Sequence, residues 1–317
     1  MLHDWWMYRP DPTPVKESLE GTRSVLNWYA QYEQPDGLLK KTPWWSFIDW
    51  IIKGELASYS AGGESCLTTL EYLGALEQAA DLEQAFGDPH IAQQHREHAA
   101  HVRSGLASQC WSADRKLLAD NPDRKDFSEQ ANILGVLYDV IPPDSNHAQQ
   151  VDVLTRMVAI QPGETPDGVQ SASHYFRFYL ARALDHAGMA DQYLKSLDAW
   201  RTLLPLHFST WPEQPGDRRS DSHAWTAHPI YDLLTLVAGI EPAAPGFAKV
   251  RIAPHLGDLP SLTASYPHPE GMIEVRYERQ GRGLTGTVTL PGQLSGEFIF
   301  NGKTQALHSG VNQISAK

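Results

Sequence analysis

Glu241-Pro-Ala-Ala-Pro-Gly246 divides this 317-residue chain into two kinds of sequence, and the patterns on either side of it set the fold class. Proline removes a backbone donor and fixes φ, so a regular helix or central strand rarely runs through such a stretch. Beyond it come short alternating or β-branched runs: Lys249–Ile252, Met272–Glu278, Leu284–Leu290 and Glu297–Phe300. Gln280-Gly-Arg-Gly283, Pro291-Gly292 and Asn301-Gly302 separate them as turn signals. Period-two alternation between tight turns puts one apolar face inward on each run. The pattern predicts a small antiparallel β-sandwich over residues 244–317.

Before the junction the apolar period changes to that of a helix. In Pro14–Gln34, Val15, Leu19, Val25, Leu26 and Tyr29 recur at helical spacing, and Pro14 suits a first turn. Ser65–Phe86 repeats Leu67, Leu70, Leu73 and Leu76 and is closed by Gly87-Asp88-Pro89. Residues 90–108, Ser128–Val140, Asn146–Ile160, Ser171–Ala187, Ala190–Leu203 and Ser220–Ala238 read as further helices. Their connections are short and rich in Pro, Gly and Asp, as between antiparallel helices. Residues 1–243 are therefore predicted to form an array of helical hairpins closing into a toroid.

A formal charge of −12 disfavours a nucleic-acid or anionic-membrane partner. No apolar run reaches transmembrane length, and no signal-peptide pattern opens the chain, so a cytoplasmic location is the expectation. Cys66 and Cys110 each lie among apolar residues without ligand spacing, and are read as buried thiols rather than as a disulfide or metal site. His95, His98 and His101 recur at helical spacing, but no Asp or Cys completes a metal set, and a solvated helix face is expected. No phosphate-cradling glycine loop or nucleophile elbow occurs. No cofactor or metal is expected.

Two loops carry the chemistry. Thr210-Trp-Pro-Glu-Gln-Pro-Gly-Asp-Arg-Arg-Ser-Asp-Ser-His-Ala-Trp225 sets Glu213 and His223 between Trp211 and Trp225. Indole faces cover the apolar faces of pyranoses, so a carboxylate between indoles suits a sugar site. The same spacing suits a surface loop whose tryptophans merely pack. Pro43-Trp-Trp-Ser-Phe-Ile-Asp-Trp50 places Trp44, Trp45 and Trp50 beside Asp49, as subsite walls with a hydroxyl acceptor or as an aromatic plug with a capping carboxylate. Glu129 and Gln130 follow Ser128 at a helix start, where capping is the simpler role. His174 and Tyr175 open another helix and could face the same mouth or the core. Asp217, Arg218 and Arg219 could hold the loop or grip an acidic sugar.

Trp-Trp-Ser-Phe-Ile-Asp-Trp50, and Thr-Trp-Pro-Glu213 followed by Ser-Asp-Ser-His-Ala-Trp225, together resemble the bacterial α-L-rhamnosidases of glycoside hydrolase family 78. His3-Asp-Trp-Trp-Met-Tyr-Arg9 and Val237-Ala-Gly-Ile-Glu-Pro with Val250-Arg-Ile-Ala-Pro254 fit the same family, in its order. The resemblance implies an (α/α)6-type toroid over residues 1–243 followed by a β-sandwich; about eight helices are legible before the sandwich where six hairpins need twelve, so the toroid is expected to be incomplete at its N-terminus. It also implies inverting hydrolysis of terminal α-L-rhamnosides, with one carboxyl protonating the leaving oxygen and a second activating water. By the match Glu213 is the general base and His223 a substrate-binding residue. Trp44, Trp45, Asp49 and Trp50 match the pocket wall, with Trp211, Trp225 and Tyr175 as further substrate-binding candidates. The family's general acid lies in an acidic motif upstream of the segment matching Met1. Expected partners are a rhamnose-containing glycoside or oligosaccharide and, to cover missing helices, a second copy or a companion chain. A truncated remnant that binds sugar without turnover is the alternative expectation.

Overall fold

The computed structural model describes residues 1–50, 58–142, 147–213 and 220–316. They form two units. One contains Lys16–Met189 and Lys195–Thr226; the other contains Met1–Val15, Ala190–Leu194 and the chain from Ala227 onward.

The first unit is built on helices α2 (Thr13–Ala30), α3 (Cys66–Phe86), α4 (Pro89–Cys110), α5 (Glu129–Leu137), α6 (Ala148–Val158) and α7 (Arg177–His186), after α1 (Leu2–Tyr8) of the other unit. Ser65 begins α3, its side chain accepting from the Thr68 amide. Asp88 begins α4 in the same way, with Pro89 supplying a preset first-turn φ. Only Gly87 and Asp88 separate the two helices, so they run back as a hairpin. Leu67, Leu70, Leu73 and Leu76 of α3 are wholly buried.

Cys66 is the first residue of α3 and Cys110 the last of α4, and they form a disulfide with a Cα–Cα distance of 6.3 Å. This corrects the expectation of free thiols. Apolar neighbours show only that each cysteine is buried; the hairpin makes residues 44 apart in sequence adjacent.

Several predicted helices are shorter. Ser171–Ala187 becomes α7 alone, because the Ala172 and Ser173 amides bond the buried carboxylates of Glu129 and Asp49 instead of entering a helix. Ala190–Leu203 breaks into short pieces at Ala190–Gln192, Tyr193–Ser196 and Asp198–Arg201. Ser220–Ala238 becomes a 3-10 turn at Ala224–Ala227, one α-turn at Pro229–Asp232 and a π-helical turn at Leu233–Val237. Two-residue strands β1 (Leu39–Lys40), β2 (Glu64–Ser65), β3 (Trp111–Ser112), β4 (Leu117–Leu118), β5 (Phe127–Ser128) and β6 (Val169–Gln170) pair beside the helix ends.

The second unit holds the sandwich. Its strands are β7 (Ile240–Pro242), β8 (Val250–Ile252), β9 (Ser261–His268), β10 (Gly271–Gln280), β11 (Gly283–Leu290), β12 (Gly296–Phe300), β13 (Lys303–Leu307) and β14 (Gly310–Ala316). One sheet has the order β14-β11-β10-β9 and the other β13-β12-β8-β7. The sandwich therefore begins at Ile240, four residues before the expected boundary at residue 244. Its second sheet is mixed, since β12 pairs parallel to β8. Val250, Ile252, Ile273, Val275, Tyr277, Val288 and Phe298 fill the core. Tyr277 donates its hydroxyl to the Ala238 carbonyl at 3.0 Å, satisfying the one polar atom of a large buried ring.

Candidate functional site: an aromatic cage over buried carboxylates

The two chemistry-bearing loops converge in the helical unit, and Tyr175 is where they meet. Its ring lies 6.2 Å from Phe47 with planes 17° apart, and 5.1 Å from Trp225. Phe47 packs at 4.8 Å on Trp50, and Trp45 at 5.9 Å on the same indole. His223 stands edge-on to Trp225 at 5.5 Å. Trp44, Trp45 and Trp225 remain 72%, 69% and 57% exposed, so large indole faces are left to solvent around a packed aromatic centre. Phe47 was not singled out by the sequence reading, although it is the ring linking Trp45 and Trp50 to Tyr175.

Asp49 holds the first loop in place. It is wholly buried, and its Oδ2 accepts from Gln130 Nε2 at 2.6 Å and from the Ser173 amide at 2.8 Å. Tyr175 donates to the Ile48 carbonyl at 2.7 Å, tying the cage ring to the same turn. Burial pushes the Asp49 carboxyl above its usual range, while the bonds from Ser173 and Gln130 pull against that shift. Oδ1 is buried without a hydrogen-bond partner among the described residues.

Beneath this lies Glu129, at the first position of α5. Its Oε2 accepts from the Ala172 amide at 2.6 Å, and Arg177 Nη2 stands 3.3 Å from both carboxylate oxygens. Arg177 also donates to the Ile160 carbonyl. Both side chains are essentially inaccessible to solvent. Desolvation pushes the Glu129 carboxyl up to about 7, despite the Arg177 charge and the Ala172 amide. Gln130 turns its amide to Asp49, while Ser128 caps α5 by accepting from the Ala131 amide at 3.2 Å. The capping role thus falls to Ser128 and the supporting role to Glu129 and Gln130.

The second loop is closed by its own backbone. The Glu213 amide donates to the Ser220 carbonyl at 2.9 Å and the His223 amide to the Trp211 carbonyl at 2.6 Å, with Thr210 Oγ1 bonding the Asp221 carbonyl. Residues 210–213 therefore run against 220–223, and the Glu213 side chain is 6% exposed. Trp211 is half-buried against Ala199, Trp200 and Leu203, away from the ring contacts of the cage. His174 bonds the Ala199 carbonyl at 3.0 Å and packs edge-on to Trp200. Asp217, Arg218 and Arg219 lie outside the described residues.

Three further features bear on the chemistry. Among the described residues no group of three or more His, Cys, Asp or Glu could hold a metal ion. No described helix is long and apolar enough to cross a membrane. The histidine row on α4 is the solvated face expected from sequence only at His101, which is exposed; His98 bonds Glu33, and His95 Nε2 is buried.

Residues 239–315 match the family model described as the bacterial alpha-L-rhamnosidase C-terminal domain. No curated protein matches the chain by sequence. Solved structures of rhamnosidases are among those that share its fold. A family 78 rhamnosidase of Bacillus sp. GL1 superposes with a TM-score of 0.80 at 19% identity, covering 94% of this chain and 32% of its own. An α-L-rhamnosidase from Aspergillus terreus gives 0.79 at 16%, covering 100% of this chain and 38% of its own. The Streptomyces avermitilis α-L-rhamnosidase complexed with L-rhamnose gives 0.76 at 17%, covering 98% and 32%. The chain spans about a third of the length of these structures. The fold is thus rhamnosidase-like.

Proposed function

We propose that this chain carries the sugar pocket and the water-activating half of an inverting α-L-rhamnosidase, its helices being the later part of an (α/α)6 toroid. The observation that supports this most is the convergence of the two loops on Tyr175. Exposed faces of Trp44, Trp45 and Trp225 form the walls on which the apolar face of a deoxysugar lies. Glu213 takes the proton of the attacking water, and His223, packed on Trp225, bonds a sugar hydroxyl. The leaving oxygen needs an acid roughly 6.5–9.5 Å from the base in an inverting pair. Asp49 and Glu129 are committed to internal donors, so the reading takes the acid from the motif that the family carries upstream, or from a companion chain.

The test is release of the aglycone from an aryl α-L-rhamnoside, with the first-formed sugar anomer read by NMR. Glu213→Gln is expected to lower the rate about 10²–10⁴-fold, the range for a lost general base. Equal rates for wild type and Glu213→Gln would refute the assignment. A second reading, sugar binding without turnover, is favoured by the internal engagement of both buried carboxylates. It predicts quenching of tryptophan fluorescence by L-rhamnose with no product formed, and no quenching at millimolar sugar would end it.

A further inference from the structure

The first turns of α3 carry a carboxyl that nothing described so far uses. Residues 65–74 are buried with the exception of Glu71, which is half-buried. Unlike Asp49 Oδ1, neither of its carboxyl oxygens is sealed from solvent. Among the described residues no hydrogen bond or ion pair engages it. The groups around it are tyrosines from three other segments. The ring of Tyr29 on α2 lies 6.0 Å from that of Tyr72, the next residue along α3. Tyr138, the C-cap of α5, sets its hydroxyl against Gly74, where an added Cβ would meet that oxygen at 2.5 Å. Gly74 is three residues beyond Glu71 and on the same side of the helix. Tyr175, the ring on which the two loops converge, completes the set, for Glu71 acts electrostatically on the hydroxyls of all three tyrosines.

Charge and access then narrow the role. Desolvation pushes the Glu71 carboxyl up to about 8, and no cation acts on it, so near neutral pH it keeps its proton. The other titratable groups facing this neighbourhood are Asp49 and Tyr179 beside Tyr175, Glu77 beside Tyr138 and Tyr59 beside Tyr29. Glu77 is itself paired with Arg103. Asp49 and Glu129 are spent on internal donors, whereas Glu71 is open and unspent. A neutral carboxyl offers one donor and one acceptor, which suits a hydroxyl of an uncharged sugar.

We propose that Glu71 is a further substrate-binding residue, its carboxyl donating a hydrogen bond to a hydroxyl of the sugar held by the cage. This rests on the sugar-pocket reading above and adds to it a group through which binding answers to pH. A sugar closing over Glu71 strips its remaining water and favours the protonated form still more. Affinity is therefore full below about 8 and is lost as pH rises through that value.

Quenching of tryptophan fluorescence by L-rhamnose is titrated for wild type, Glu71→Gln and Glu71→Ala from about pH 6 to about pH 9, with the urea midpoint of each followed in parallel. Glu71→Ala should weaken binding about fivefold at the acid end, the value of one net hydrogen bond. Glu71→Gln keeps a neutral donor of the same shape, so it should match wild type within about twofold there. Between about pH 8 and about pH 9 wild type should weaken by up to about fivefold more than Glu71→Gln, which has no proton to lose. A purely structural role would move the urea midpoints and leave the two pH profiles parallel. If the alanine variant does not fold, the glutamine profile alone decides. Equal affinity of wild type and Glu71→Ala at the acid end, or parallel profiles for wild type and Glu71→Gln, would overturn the assignment and leave the sugar pocket standing. No quenching of wild type at millimolar sugar would remove the pocket and the role of Glu71 together.

Discussion

Asp49→Ala is the substitution that tests the architecture of the cage most directly. The wild-type carboxylate accepts two buried hydrogen bonds, from Gln130 Nε2 at 2.6 Å and the Ser173 amide at 2.8 Å. Alanine leaves both donors buried and unpaired, at about 1–3 kcal/mol each, so the gross loss is about 2–6 kcal/mol. Removing the carboxylate also relieves its own desolvation, the effect that raises its pKa, and this returns part of the loss. The net expectation is about 3 kcal/mol, in the lower half of that range. With a urea m-value near 3 kcal/mol/M, the midpoint followed by tryptophan fluorescence should fall by about 1 M. Asp49→Asn keeps an acceptor and the shape, and should cost about 1 kcal/mol. Because Ile48 and Trp50 flank Asp49, the alanine variant should also lose quenching by rhamnose, whereas asparagine retains it. An alanine midpoint within about 0.5 kcal/mol of wild type, or asparagine as damaging as alanine, would refute the argument that Asp49 holds the loop.

Two further outcomes are expected. Glu129 titrates near 7 in the folded chain and near 4.5 when exposed, so its contribution is fully present below about 4.5 and is lost as pH rises through about 7. That span is worth at most about 3 kcal/mol, and Glu129→Gln should lose less stability than wild type between pH 5 and pH 8; parallel urea midpoints across that range would contradict it. The Cys66–Cys110 bridge closes a loop 44 residues long, worth about 4 kcal/mol by chain entropy, so the double alanine variant should unfold at markedly lower urea. Two thiols titrating in denaturant without reductant would show that the bridge is absent.

The reach of the sequence differs from element to element. α3 and α4 were legible because each carries a local apolar period, a side-chain cap and a two-residue connection, all within reach of near neighbours. β10 and β11 were legible for the same reason, through alternation and a Gly-containing turn. β9, β13 and β14 were not, because much of each strand is polar and partly exposed and is held by pairing with its neighbour. Residues 171–176 look helical locally, yet two carboxylates from distant segments claim their amides.

By itself the sequence determined the class of each half, the helix hairpins, the two aromatic loops and the carboxylate in each, since period, turn residues and composition are local properties. Only the tertiary structure decided that Tyr175 joins those loops, that Phe47 links the indoles, that Trp211 and His174 pack elsewhere, and that the two cysteines meet. Which side chain covers another, and which buried amide a carboxylate captures, depends on contacts between residues as distant in sequence as Phe47 and Tyr175 or Asp49 and Ser173, and no local pattern encodes them.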